Sequence, residues 1–153
     1  IKGMGLLPMD TVFAGDKTRT RVCGSFGKVG GILSGLSGTE LEGYEIHMGV
    51  TTLKERASSL TEIQNINEEG QDRKADGAQC GNVYGSYVHS IFDREQVAER
   101  IVQAIGQAKG VDTEDMTGVD YQSFKESQYD ILAASLREHL DMKKIYEILE
   151  QEV

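Results

Sequence analysis

The spacing of apolar positions along this chain changes once, near Phe92. Before that point, short β-rich runs cover residues 6–13, 18–23, 41–48, 60–66 and 82–91, part apolar and part alternating. That pattern predicts strands of a sheet with at least one covered face. Between the second and third runs lies a cluster of Gly24, Gly27, Gly30, Gly31, Gly35 and Gly38, which reads as loop and is a poor place for a helix to start. After Phe92 the period becomes helical. Val97, Ile101, Val102 and Ile105 recur on one face until Gly110, and Asp93 with Gln96 three residues on predicts a capping-box start for a helix over 93–108. A polar stretch over 111–120 follows. Tyr121, Phe124, Ile131, Leu132, Leu136 and Leu140 then predict a second long helix, and Asp141 a cap for a third, with Met142, Ile145 and Leu149 facing the core. The expected organisation is one partial domain over 1–153, sheet-rich over 1–92 and helical over 93–153.

Composition narrows the function classes. The 153 residues carry 25 acidic and 16 basic side chains, a net charge of −9, which argues against a binder of nucleic-acid phosphates. Leu, Ile, Val and Phe make up about a quarter of the chain, enough for a core. No apolar run approaches the length of a membrane span, and no signal-like segment opens the chain; a soluble, cytoplasmic protein is expected. From Val111 onward there are 11 acidic and 4 basic side chains, read as a solvated acidic face. Cys23 and Cys80 form no C-x-x-C pair and read as reduced, partly buried thiols, and His47, His89 and His139 stand too far apart to suggest a metal site. The chain opens at Ile1 without an initiator Met, and reads as a piece of something longer.

The chemically suggestive segment is Gly81-Asn82-Val83-Tyr84-Gly85-Ser86-Tyr87-Val88-His89-Ser90-Ile91-Phe92-Asp93, a strand ending in an imidazole just before a helix. Open α/β sheets place ligands at such strand ends. His89 there is either a structural side chain or the base of a Cys–His or Ser–His pair, whose ordinary pKa near 6.5 suits proton transfer near neutrality.

Four ordered blocks carry a family resemblance: Gly3-Met4-Gly5-Leu6-Leu7-Pro8-Met9-Asp10-Thr11-Val12-Phe13, Gly43-Tyr44-Glu45-Ile46-His47-Met48-Gly49-Val50-Thr51, Gly85-Ser86-Tyr87-Val88-His89-Ser90-Ile91-Phe92-Asp93 and Arg137-Glu138-His139-Leu140-Asp141-Met142. Together they resemble the C-terminal part of the cobyric acid synthase family, the glutamine-dependent amidotransferases of cobalamin biosynthesis. The resemblance implies an α/β, flavodoxin-like class I (triad-type) glutamine amidotransferase domain, N-terminally truncated, with C-terminal helices. In that family a Cys on a strand-to-helix elbow attacks the glutamine amide, a His at a later strand end is its base, and ammonia passes to an ATP-using synthetase domain. By the block match His89 is that catalytic His. Other members of the class carry a Glu two residues past it, where this chain has Ile91, so the resemblance implies a Cys–His dyad with the third group unassigned.

The family's elbow lies upstream of the first block, where this chain starts. Val22-Cys23-Gly24-Ser25-Phe26-Gly27 mimics it superficially, but an elbow needs a small residue two before the nucleophile and a helix directly after it, and here Arg21 stands two before Cys23 and the glycine cluster follows. Cys80, before a strand, fits no better. Glu45, His47 and Met48 fall in the block near the glutamine site and are implied to bind substrate, with the strand's backbone helping to hold it; His47 reads equally as a histidine satisfied within the sheet. His139 beside Glu138 reads as a surface residue. The resemblance further implies glutamine, a corrinoid substrate and an N-terminal synthetase domain as partners, with ATP and Mg in that absent domain and no cofactor or metal in this one. The expected function is the glutaminase portion of cobyric acid synthase, serving amidation of adenosylcobyrinic acid a,c-diamide, with the fragment alone inactive. The alternative is a non-catalytic interaction domain that reuses the fold. Loss of central strands is expected to leave a gap repaired by a second copy, by altered strand order or by poor order of part of the chain.

Overall fold

The computed structural model describes residues 1–68, 72–113 and 119–151, in two compact units, Ile1–Gly118 and Val119–Val153. The first is built on a five-stranded sheet of β1 (Met9–Phe26), β2 (Glu40–Leu53), β3 (Thr61–Asn65), β4 (Lys74–Asp76) and, after a separate two-stranded hairpin of β5 (Ala78–Cys80) and β6 (Val83–Gly85), β7 (Val88–His89). The strand order is β4-β3-β1-β2-β7, and every named strand pair is antiparallel. The α/β domain with C-terminal helices is present, but the described residues supply none of the parallel βαβ units of a flavodoxin-like fold.

The first two predicted strands are one. β1 pairs with β2 from Met9↔Leu53 to Ser25↔Glu40, and the register jumps between Val12↔Val50 and Lys17↔Met48. Residues 13–16 therefore bulge out opposite Gly49. Gly49 has φ +98°, and a Cβ there would collide with the Val12 carbonyl, so glycine is what allows the bulge without ending the strand.

Alternation sorts the faces. Val22 and Phe26 of β1, Leu41 of β2, Ile63 of β3 and Val88 of β7 are buried and pack with Val29, Leu36, Leu60, Ile91 and Val97. Lys17, Arg19 and Arg21, on the opposite face of β1, are exposed. The glycine cluster is not all loop: Gly24 lies within β1, and Gly31–Leu36 forms a 3-10 helix. Leu33 and Leu36 are spaced to meet the core, and the amides of Gly30 and Ile32 are taken by the side chains of Gln79 (2.8 Å) and Asn82 (2.9 Å).

The first helix, α1 (Glu95–Lys109), ends as expected on left-handed Gly110. Its start differs from the predicted capping box. Arg94 is the N-cap without a side-chain cap bond, because Asp93 lies in a turn where its amide donates to the Ser90 carbonyl (3.0 Å). Val97 is buried, and α1 belongs to the sheet unit rather than to a separate helical half. In the second unit, α2 (Tyr121–His139) is capped by Asp120, which accepts from the amides of Gln122 and Ser123. The next helix, α3 (Met142–Gln151), starts with the Lys144 amide on Asp141 (3.0 Å). Its predicted core positions Met142 and Ile145 are half-buried, while Leu149 and the large apolar residues of α2 stay exposed. Residues 114–118 of the polar stretch lie outside the described residues. Among the described residues no helix is long and apolar enough to cross a membrane.

Candidate active site

His89 stands at an edge of the sheet. β7 is two residues long and, among the described residues, pairs only with β2, Tyr44↔His89 and Glu45↔Val88. The imidazole is exposed, and the chain turns at once: Ser90 takes φ +63°, and the segment then enters α1. Gly43 allows the edge strand to sit this close, since a Cβ at residue 43 would collide with the His89 carbonyl oxygen.

Directly paired residues share a face, so the register Arg21↔Tyr44↔His89 lays a guanidinium, a phenol and an imidazole in one row across β1, β2 and β7. Tyr44 is 48% exposed. Beside this row, Glu42 Oε1 accepts from Arg21 Nη2 (2.5 Å) and Nε (3.1 Å), and its Oε2 accepts from Arg94 Nη2 (3.3 Å). The Arg21 hydrogen bond holds the Glu42 carboxyl below its ordinary pKa; partial burial opposes this, and Arg94 adds to the lowering. The same contact raises Arg21.

Glu45 and His47 occupy the other face of β2 from Tyr44 and His89. Glu45 is 3% exposed. Its Oε1 accepts from Lys74 Nζ (2.7 Å) and lies 2.9 Å from His47 Nε2, while His47 Nδ1 is 3.1 Å from the Gly49 carbonyl oxygen. The His47 ring packs against that of Tyr87 at 4.7 Å, tilted by 32°, and the Tyr87 hydroxyl is 2.7 Å from Thr51 Oγ1. These groups line a cavity of about 410 Å³ together with Asp76 and Ser86. A buried carboxylate tied to an ammonium and an imidazole is a satisfied polar centre under the sheet. Met48 does share the His89 face, four residues further along β2.

Neither cysteine is placed as an elbow nucleophile. Cys23 is mid-strand, paired with Glu42 on one side and Gln64 on the other, so β1 continues straight through it into Gly24. Cys80 ends β5, facing Val83. His139 is exposed on α2 in the second unit, its Nδ1 2.8 Å from the Ser135 carbonyl. Tyr44, Arg21 and Glu42 are the neighbours that reading the sequence missed. The alternation Glu42, Tyr44, Ile46, Met48 against Leu41, Gly43, Glu45, His47 was a signal for which residues share a face.

Residues 1–97 match the model of the CobB/CobQ-like glutamine amidotransferase domain. Over 151 residues the chain is 48% identical to the cobyric acid synthase of Ruminiclostridium cellulolyticum, covering 99% of this chain and 29% of that protein. It is 43% identical to the cobyric acid synthase of Lachnoclostridium phytofermentans (100% and 31%) and 37% identical to that of Clostridium tetani (97% and 28%). The chain thus spans about three-tenths of the length of these relatives.

Proposed function

Because the chain belongs to the CobB/CobQ-like glutamine amidotransferase family, we propose that it releases ammonia from glutamine as the amidotransferase portion of a cobyric acid synthase, with His89 as the base. The observation that carries this is the imidazole exposed at the end of β7, held by the Tyr44 pairing and the close approach of Gly43. In the reaction His89 takes the proton of a cysteine thiol, and the thiolate attacks the side-chain amide carbon of glutamine. The imidazolium then protonates the leaving nitrogen, so ammonia departs and a thioester remains. Water, deprotonated by the same imidazole, releases glutamate and restores the thiol. The nucleophile is a cysteine that the full-length protein supplies from outside these 153 residues, since neither of their two cysteines, Cys23 and Cys80, meets the requirements of an elbow. The β2 backbone beside Tyr44 and Met48 lines the substrate side.

In the whole protein the ammonia serves an ATP- and magnesium-using synthetase part that amidates carboxylates of adenosylcobyrinic acid a,c-diamide. The relatives' name and their greater length support this assignment. The chain by itself releases no ammonia from glutamine, because a base without its thiol has nothing to activate. The test is His89→Ala in the full-length enzyme. Glutamine-dependent synthesis is lost while synthesis from added ammonium persists; equal loss of both overturns the assignment.

A further inference from the structure

An imidazole that serves as a base needs an acceptor for its other ring N–H, which fixes the tautomer and supports the imidazolium formed during reaction. Two residues past His89 the chain offers Ile91, which is apolar and buried. The acceptor therefore has to come from another strand. With Tyr44 opposite His89, strand alternation puts Glu42 on the same face two residues along β2, the diagonal position that long side chains span.

The lone pairs of Glu42 are unequally used. Oε1 takes two donors from Arg21, whereas Oε2 takes one from Arg94, which leaves room on Oε2 for one more donor. Arg94 belongs to the segment that leaves His89, so the carboxylate is tied to the turn that carries the imidazole. Glu40, the other acid reached by Arg94, is 80% exposed and its contact is 3.9 Å.

We propose that Glu42 is the positioning residue of His89, its Oε2 accepting the imidazole N–H that faces away from the nucleophile. The proposal rests on the glutaminase reading. The charged and titratable groups facing this pair are Arg21 and Cys23 of β1, Glu40 and Tyr44 of β2, and Arg94 at the start of α1. A carboxylate here favours the imidazolium, so its neutralisation lowers the apparent pKa of the base.

The test is steady-state glutamine hydrolysis by the full-length enzyme, comparing Glu42→Gln, Glu42→Asp and His89→Ala. For Glu42→Gln the expected result is a kcat lower by about 10- to 1,000-fold, glutamine KM within about twofold of the parent, and an acid limb moved to lower pH. Glu42→Asp, which keeps the charge, falls between that variant and the parent. A Glu42→Gln enzyme with parental kcat and acid limb, while His89→Ala is inactive, overturns the role of Glu42 alone. An active His89→Ala enzyme overturns the glutaminase reading with it. Should Glu42→Gln not fold, a parental kcat and pH profile in Glu42→Asp overturns the proposal.

Discussion

The carbonyl oxygen of His89 lies so close to the Cα of Gly43 that a Cβ at residue 43 would overlap it. The imidazole is positioned by a backbone contact, between a glycine on β2 and the short edge strand that carries it. Gly43→Ala is expected to push β7 outward, lowering stability by about 1–3 kcal/mol. Glutamine-dependent turnover of the full-length enzyme falls further than the loss of folded protein explains. Denaturant unfolding with kcat on the same preparation checks this; parental values for both refute it.

Glu45 is buried with Lys74 and His47 as its partners. Lys74→Met leaves that carboxylate with the imidazole alone and is expected to cost about 1–3 kcal/mol. Because the cavity opens on the face away from His89, KM for glutamine is expected to stay at the parental value. A raised KM without loss of stability would place Glu45 and His47 at the substrate site.

Ser90 holds φ +63°, a conformation that a side chain disfavours. Ser90→Gly is expected to raise the thermal midpoint, by relief of about 1 kcal/mol of backbone strain. Scanning calorimetry reads it, and an unchanged or lower midpoint contradicts it.

Asp120 caps α2, and the hydrogen bond from the Ser123 side chain, helped by the amides of Ser123 and Gln122, lowers its pKa. A depressed folded-state pKa means that the cap's contribution is fully present above the ordinary Asp pKa of about 4, and is lost as pH falls through the folded value. Protection of the first-turn amides of α2 against exchange, taken relative to the intrinsic rate at each pH, is expected to fall in acid. Asp120→Ala is expected to show fast exchange already at neutral pH and no further acid step.

Several features of this protein were set locally and could be read from the sequence. The 3.6-residue spacing of Val97, Ile101 and Ile105, the left-handed stop at Gly110, the cap at Asp141 and the imidazole at a strand end each depend on neighbours within a few positions. The blocks around Gly43 and His89 carried the family for the same reason. Tertiary structure alone decided that residues 13–16 bulge rather than end a strand, that Asp93 turns instead of capping, and that Glu45 and His47 face away from His89. The bulge and the facing of Glu45 and His47 follow from register, which joins residues 45 positions apart in the Tyr44↔His89 pair. A slip of one residue in that pairing would send every side chain of the strand to the opposite face. The choice between the two registers is made by burial of Val88, Leu41 and Val22 in a common core, an energy that does not exist until the strands have met.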